Sequence, residues 1–558
     1  MTIAPSAVSQ CALKELRCLE QEDTLVSTGS YPRVTALLRL ARELPLVWFL
    51  AGYLLARLSL LLSSLRSPQD RSILLRRVAL ASGLFVLFTY LAITLCSLRC
   101  FMMQLDEANI LSISAATFRG LPMYQLPTSP VSSYSLVYGP FTFLIYLAAL
   151  LMGGVSHFWI VRGFAVAANL GLCAVLYRLL RRFVSAGTAV ALLALPLSAL
   201  LQHAELALSA RSDIWVTLFA ALAILCSYLD GEVPAVILVG IMGGLILDLK
   251  ISAAPALFYP LLILYRRFGL RSPVAALLVM AAGALTPFTL HNISLHNYVA
   301  WILFTRSEGI AAANAWINFF FALFLIAPCV IMEIAARRLG LALRPRLPEL
   351  LLIVLCLFLA LLTSKGGSGP HYLWHIMPSI VVYLALVCRD MASLTAREQI
   401  APVYLIAVAC ALFACVNVPR AWQQVKISLM PPGVPKAEQS IQQYLSIYRN
   451  RSSIQMGYGS VAGDYRSELR YILVYRGQPY TVEGNTGRFD TRLLPFPVDV
   501  LNRMEHCRDD VWLAPHAQAP FALWVLPDSL RSAFLANYSI DRTDGIYDAW
   551  TCNRGRSQ

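Results

Sequence analysis

Charge is scarce in this chain. Of its 558 residues only 14% are Asp, Glu, Lys or Arg, whereas 58% are hydrophobic and the mean hydropathy is +0.63. A soluble domain is usually about 25% charged and about 45–50% apolar. The composition therefore excludes a soluble globular protein and indicates a polytopic membrane protein. Alternating strands of about ten residues are lacking as well, which argues against a transmembrane barrel. The apolar runs are about 20 residues long, the length of a spanning helix. Also absent are a CxxC pair, any metal-ligand spacing, internal repeats and low-complexity tracts. Residues 1–43 are polar and lack the apolar core of a cleavable signal peptide.

Most of the 13 scattered cysteines lie inside apolar runs, as do Cys173, Cys226, Cys329, Cys356 and Cys410, where Cys behaves as a small hydrophobe. Cys507 and Cys552 alone fall in the polar C-terminal region. They would form a disulfide if that region is extracytoplasmic, and two unpaired thiols are the other reading. The formal net charge of +14 suits a nucleic-acid-binding protein, but Arg clustered in short loops between apolar runs is what the positive-inside rule produces. No nucleic-acid partner is expected.

Runs long enough to cross a bilayer fall at 78–98, 157–178, 187–203, 212–229, 233–249, 251–266, 273–290, 316–336, 348–363, 372–388 and 401–418. Two more are ambiguous: 44–64, interrupted by Arg57, and 138–154, which begins Tyr138-Gly139-Pro140 and ends Gly153-Gly154. Basic clusters lie at Arg66/Arg71/Arg76/Arg77, Arg178/Arg181/Arg182, Arg266/Arg267/Arg271, Arg337/Arg338/Arg344/Arg346 and Arg389/Arg397. If 138–154 crossed fully, every later cluster would fall outside the cytoplasm. As a short helix resting in the outer leaflet it leaves all of them inside. That second arrangement gives 11 spans, with 44–64 an extra helix of unassigned orientation.

The loops then left outside are 99–137, 203–213, 248–250, 291–315 and 363–371. They hold Asp106, Glu107, Arg119, His203, Glu205, Arg211, Asp213, Lys250, His291, His296, Arg306, Glu308, Lys365 and His371. Ordinary connecting loops do not need this concentration of acids, histidines and cations; an outward-facing polar site does. From about residue 420 the composition shifts. Pro431-Pro432 and Pro435 mark a linker, 439–448 reads as a helix, and 453–458 and 511–514 read as short strands.

Asp106-Glu107 follows a span directly, at the mouth of the membrane zone, where a carboxylate is costly and so a functional candidate by default. Solvated interfacial acids are the plain alternative. Asp213 opens a span two residues after Arg211, where simple helix capping also accounts for an acid. Lys250 and Lys365 each border an apolar run; unpaired there they would be expensive unless they snorkel to the interface. Lys365 precedes Gly366-Gly367-Ser368-Gly369, whose backbone N–H groups can approach a phosphate, and Arg306 lies in the long loop after 290. His371 and Tyr372 are candidates for packing on a sugar or an acceptor. Tyr138-Gly139-Pro140 places Pro in a first helical turn whose N-terminus would face the site, which architecture or phosphate binding explains equally.

Taken in order, Leu105-Asp106-Glu107-Ala108, Gly120-Leu121-Pro122-Met123-Tyr124 and Tyr134-Ser135-Leu136-Val137-Tyr138-Gly139-Pro140 resemble the first outer loop of the GT-C membrane glycosyltransferases. That superfamily includes the protein O-mannosyltransferases and the bacterial aminoarabinose transferases. Ala210-Arg211-Ser212-Asp213, Leu249-Lys250 with Pro255, and Ser364-Lys365-Gly366-Gly367-Ser368-Gly369-Pro370-His371-Tyr372 fit the same pattern. The resemblance covers residues 78–420. It implies a sugar transferred from a polyprenyl-phosphate donor to a lipid, glycan or protein acceptor. Asp106 would be the base acting on the acceptor, Glu107 its orienting neighbour or a ligand of a sugar hydroxyl, and Asp213 a neighbour of the acceptor site. Arg211, Lys250, Arg306, Lys365, His371, Tyr372 and Tyr138 complete the substrate-binding set. The loops lack a clustered carboxylate triad, so metal-independent chemistry is expected, with a divalent metal as the alternative.

The fold expected is a polytopic α-helical membrane protein of about 11–13 helices with a small C-terminal α/β extracytoplasmic domain. Its parts would be a polar segment 1–43, an extra helix and basic loop 44–77, a GT-C-like domain 78–419 and the C-terminal domain 420–558. That last domain would recognise the acceptor or act as a lid. The expected location is the bacterial inner membrane, with the site and C-terminal domain outside the cytoplasm. A transporter or flippase is the competing reading, but it should place ionisable groups near the midplane of several spans and often shows repeats.

Overall fold

The computed structural model describes residues 45–62, 68–126, 138–153, 157–305, 310–338, 347–365, 369–394, 401–461, 464–480, 498–522, 526 and 528–553. The polar segment 1–43, Arg306 and Gly366-Gly367-Ser368 lie outside the described residues.

Helices form where the apolar runs are. They include Pro45–Leu62, Pro68–Cys96, Phe158–Leu180, Ala186–Gln202, Asp213–Ser227, Glu232–Leu249, Arg271–Leu285, Ala312–Arg338, Leu347–Leu362, Met377–Leu394 and Ala401–Ile427. Among the described residues seven helices are long and apolar enough to cross a membrane, and five shorter apolar ones accompany them. The chain is an integral membrane protein. Helix Pro140–Gly153 has only 14 residues, short for a crossing.

Two expected spans are interrupted. The run at 251–266 begins as a 3-10 segment, Ile251–Leu257, and becomes α-helical at Phe258–Phe268. The run at 372–388 likewise opens with the 3-10 segment Pro370–Ile376. Both irregular segments border buried polar residues, Lys250 and His371. Non-helical backbone at membrane depth is tolerated where protein or a wet cavity covers it.

Helices Glu232–Leu249 and Arg271–Leu285 pack face to face through Gly240 and Gly244, spaced four apart. A Cβ on Gly240 would lie 2.6 Å from Val279 Cβ, and one on Gly244 3.0 Å from the Met280 carbonyl. Such small residues let helix backbones approach where water offers no driving force.

The first outer loop differs from expectation. It contains a 14-residue helix, Leu105–Phe118, whose residues from Glu107 to Thr117 are buried. Its far side meets the C-terminal region, where helix Arg470–Tyr475 packs on it. That region starts after Ile427, with helix Val434–Ile447. Its sheet has strands β1 (Ile454–Met456), β2 (Val511–Pro515), β3 (Tyr538–Thr543) and β4 (Tyr547–Cys552) in the order β1-β2-β4-β3. β1 pairs β2 in parallel and the other pairs are antiparallel. The expected helix and both expected strands are present.

Cys507 and Cys552 form a disulfide, Cα to Cα 5.8 Å, closing a sequence separation of 45. A crosslink over such a loop stabilises by about 2–4 kcal/mol. Cys507→Ser should therefore lower the stability of the C-terminal domain by about that amount. Wild-type Cys507 and Cys552 should resist alkylation until a reductant is added; labelling without reductant would contradict the pairing.

Candidate functional site

The site grows from the start of helix Leu105–Phe118. Glu107, in its first turn, reaches back to accept from the N–H groups of Met103 (2.6 Å) and Gln104 (3.2 Å), which caps the helix. The same carboxylate accepts both ends of the Arg162 guanidinium at 2.6 and 2.7 Å, and the N–H of Ala210. Arg162 spends its remaining donors on the carbonyls of Cys100, Phe101 and Leu208. Both side chains are fully buried. The solvated-neighbour reading of Glu107 is thereby corrected: its side chain is fully buried and both carboxylate oxygens accept from protein donors.

Asp106 points the other way and keeps 21% of its side chain exposed, ion-paired to Arg211 at 2.7 Å. Arg211 also reaches Asp213 Oδ2 at 3.2 Å. Asp213 Oδ1 accepts from Lys250 Nζ at 2.6 Å and lies 3.5 Å from His375 Nε2. Acid and base thus alternate along one line, Asp106–Arg211–Asp213–Lys250. Ser212 rather than Asp213 is the N-cap of helix Asp213–Ser227, so capping does not explain Asp213. Lys250 is buried at the end of its helix, so snorkelling does not explain Lys250. Burial alone would push the Arg211 guanidinium down, but Tyr138, Asp106 and Asp213 hold it above its ordinary value.

Aromatic faces cover the cations. Lys250 Nζ lies 3.5 Å from the Tyr372 ring centroid and 5.6 Å from that of Tyr138, and the Arg211 guanidinium 5.8 Å from Tyr138. Gly139 sets this up. Its N–H donates to the Leu249 carbonyl at 3.0 Å, and an added Cβ would lie 1.8 Å from the Asp248 carbonyl oxygen. The start of helix Pro140–Gly153 is thereby pressed against the residues preceding Lys250.

Six of the ten expected site residues thus meet in one cluster: Asp106, Arg211, Asp213, Lys250, Tyr372 and Tyr138. Glu107 supports it from behind. His371 is buried close enough to Asp213 to feel its charge. Lys365 stands apart: it is half-buried in an antiparallel bridge with Ile310 and makes no ion pair among the described residues. Arg306 lies outside the described residues. Arg162 and His375 were not singled out in the sequence. The signal for Arg162 was a lone cation inside the run at 157–178; His375 gave none. Among the described residues no three His, Cys, Asp or Glu side chains converge as a metal site.

The C-terminal region is pinned to this assembly. Arg119 Nε donates to the Tyr475 carbonyl at 2.7 Å, and Phe118 stacks on Tyr475 with ring centroids 5.5 Å apart. Tyr480 OH donates to Asn109 Oδ1 at 3.0 Å. Burial pushes the Glu468 carboxyl up, as do the carboxylates of Asp464, Glu107 and Asp106.

No protein-family model matches the sequence, and neither does any curated protein. In structure the chain is similar to ArnT from Cupriavidus metallidurans in the apo state, with a TM-score of 0.50 and 14% identity over 84% of this chain and 97% of that one. It is also similar to the same protein bound to undecaprenyl phosphate, with a TM-score of 0.49, 14% identity and the same coverage, 84% and 97%. A third similar structure is AglB, the archaeal oligosaccharyltransferase from Archaeoglobus fulgidus, in complex with an inhibitory peptide and a dolichol-phosphate. Here the TM-score is 0.42 and identity 12%, over 84% and 74% of the two chains. ArnT and AglB are GT-C glycosyltransferases. The likeness to ArnT is one of fold, and it is the fold that the sequence resemblance implied: this chain has a GT-C-like membrane fold.

Removing one partner of a buried ion pair strands the other charge, at about 3–5 kcal/mol. Arg162→Met should therefore cost about 3–5 kcal/mol of stability, read as early thermal unfolding of the detergent-solubilised protein. A loss under about 1 kcal/mol, typical of an exposed pair, would show that Arg162 and Glu107 are not buried together.

Proposed function

We propose that this protein is a membrane glycosyltransferase that moves a sugar from a polyprenyl-phosphate donor to an extracytoplasmic acceptor, with Asp106 as the base. The observation that carries the reading is the Asp106–Arg211–Asp213–Lys250 line, in which the partly exposed Asp106 carboxylate pairs with Arg211 and the buried Asp213 carboxylate holds both Arg211 and Lys250. The shared fold and the ordered motifs support it.

The reaction asks little more of the protein. The acceptor hydroxyl or amine gives its proton to the Asp106 carboxylate. Its lone pair forms a bond to the anomeric carbon through an oxocarbenium-like state as the bond from that carbon to the phosphate oxygen breaks. The electron pair leaves with the polyprenyl phosphate, a stable anion that needs no strong acid. Arg211 and Lys250 receive that charge where water is largely excluded and electrostatic contacts are strong. The anomeric configuration inverts if base and leaving phosphate lie on opposite faces of the sugar in one displacement. Asp213 holds both cations at the right spacing, and Glu107 acts as a positioning residue for Asp106.

The outward orientation is supported by the Arg clusters on the opposite side of the assigned topology and by the Cys507–Cys552 disulfide, since such bonds persist in oxidising compartments. The competing transporter reading gains no support from the cluster, which gathers ionisable groups at one end of the spans.

Asp106→Asn keeps the shape and removes the base. In membranes given a radiolabelled polyprenyl-phosphate sugar it should lower transfer by about 10²–10⁴-fold, with an unchanged elution volume in detergent. Full activity would remove Asp106 from this role. Impermeant thiol reagents should reach Lys365→Cys and Arg338→Cys from opposite faces of the membrane; labelling of both from one face would overturn the topology.

A further inference from the structure

Beside the charged line lies a second polar group that the mechanism above does not use. His203 ends helix Ala186–Gln202, and Glu205 lies in the single turn Ala204–Ala207 that follows. His203 Nδ1 is 3.6 Å from Glu205 Oε1, and Arg420 approaches the same oxygen to 3.9 Å from a more exposed position. Helix Ala186–Gln202, which ends at His203, packs against the Pro370–Ile376 segment that carries His371 and Trp374, and the His371 ring lies 6.1 Å from that of Trp374. Phe321 adds a ring 6.4 Å from His203.

The four residues are buried, with 8% of His203, 9% of Glu205, 4% of His371 and none of Trp374 exposed. Yet His203 Nε2, Glu205 Oε2, both ring nitrogens of His371 and Trp374 Nε1 have no hydrogen-bond partner among the described residues. Buried polar atoms are paired in the great majority of cases, and each exception needs an occupant or a reason. Here the exceptions adjoin the candidate site.

We propose that His203, Glu205, His371 and Trp374 form the subsite that recognises the hydroxyl groups of the transferred sugar, and so select which sugar is used. The inference rests on the glycosyltransferase reading and names the part of that site which reads the donor. The chemistry of the group decides for a sugar over a phosphate. A carboxylate repels an anion, whereas carboxylate, imidazole and indole N–H together match a ring that both donates and accepts, and aromatic faces suit its C–H surface. Burial alone would push the Glu205 carboxyl up, but His203 and Arg420 hold it below its ordinary value, leaving a charged acceptor for hydroxyl donors. Position favours the donor sugar over the acceptor. Asp106, at the other end of the charged line, lies in the helix that the C-terminal region covers, while the Pro370–Ile376 segment that carries His371 packs on both helix Asp213–Ser227 and the helix that ends at His203. A sugar whose phosphate rests on Arg211 and Lys250 can extend from its anomeric carbon toward His371.

The test compares two probes on the full-length protein in nanodiscs: bare undecaprenyl phosphate, and undecaprenyl phosphate carrying one radiolabelled hexose or pentose, taken as a panel. Wild type should bind at least one loaded carrier more tightly than the bare one. Glu205→Gln should leave bare-carrier affinity within about twofold and reduce that preference about tenfold, the weight of a hydrogen bond to a charged group. Trp374→Phe, which removes one N–H and little volume, should reduce it about threefold and keeps the test informative if Glu205→Gln does not fold. An unchanged preference in the variants overturns the subsite, as does equal loss for both probes. Wild type that binds the bare carrier but prefers no loaded one overturns it too, while leaving the donor class standing. Wild type that binds neither probe overturns the parent reading.

Discussion

An ion pair sealed away from water, Arg162 to Glu107, is the constraint on which the site depends. Two desolvated charges are expensive, and the cost is offset only when geometry is good and every remaining donor and acceptor is used. Here each is used, and the partners come from several parts of the chain: the turn at 100–104, helix Phe158–Leu180 and the loop at 208–210. The pair itself touches no substrate. Its effect passes through its chain neighbours. Glu107 precedes nothing reactive, but Asp106 comes immediately before it, and successive helical side chains diverge by about 100°, so one acid turns inward and the other toward the mouth. The Ala210 N–H that Glu107 accepts lies one residue before Arg211. A single buried contact thus fixes both members of the Asp106–Arg211 pair.

The charged line has a logic of its own. Two carboxylates and two cations balance one another, so a site without its anion holds no uncompensated buried charge. A strong phosphate cradle made of cations alone would be costly at this depth. Interleaving Asp213 between Arg211 and Lys250 keeps both cations in place, at the expense of some attraction for the phosphate of the proposed donor. The aromatic faces of Tyr138 and Tyr372 return part of it through cation–π contact without adding net charge.

Much of the fold was legible because membrane burial writes itself into composition: each expected run became a helix or a helix joined to a 3-10 segment, and the breaks at Ile251 and Pro370 adjoin the polar residues already singled out. Asp106, Arg211, Asp213 and Lys250 were legible because a charge bordering an apolar run is expensive and needs a partner. Arg162 was missed because one cation inside a long run reads as noise until its partner 55 residues earlier is known. Helix Leu105–Phe118 was missed because its stretch looked polar by membrane standards, although Ala, Ile and Leu make up six of its eleven buried residues. The flaw lay in treating the loop as solvated: tertiary cover from the C-terminal region buries it, and no local pattern carries that information. Strands β3 and β4 were missed for a related reason, since β3 is buried only at Tyr538 and gives little alternation to read. Lys365, a costly-looking cation, lies outside the cluster among the described residues.

That cover bears on what the C-terminal region does. A lid must open at small cost, which calls for few buried contacts between lid and body. This one stacks Tyr475 on Phe118, takes a hydrogen bond from Arg119 and returns one from Tyr480 to Asn109. Its linker is tied down as well: the Phe101 N–H donates to the Ser428 carbonyl at 2.7 Å and the Met430 N–H to the Arg99 carbonyl at 3.1 Å. Lifting it would strip the apolar face of the very helix that carries Asp106, at about 25 cal/mol for each Å² exposed, and would loosen the first turn that Glu107 caps. The region is better understood as a fixed wall of the site. Glu468, pushed up by burial and by the nearby carboxylates of Asp464, Glu107 and Asp106, is then part of the electrostatic setting of the proposed base. Under the proposed reading, an acceptor reaching Asp106 would meet a surface to which both the membrane helices and the C-terminal region contribute.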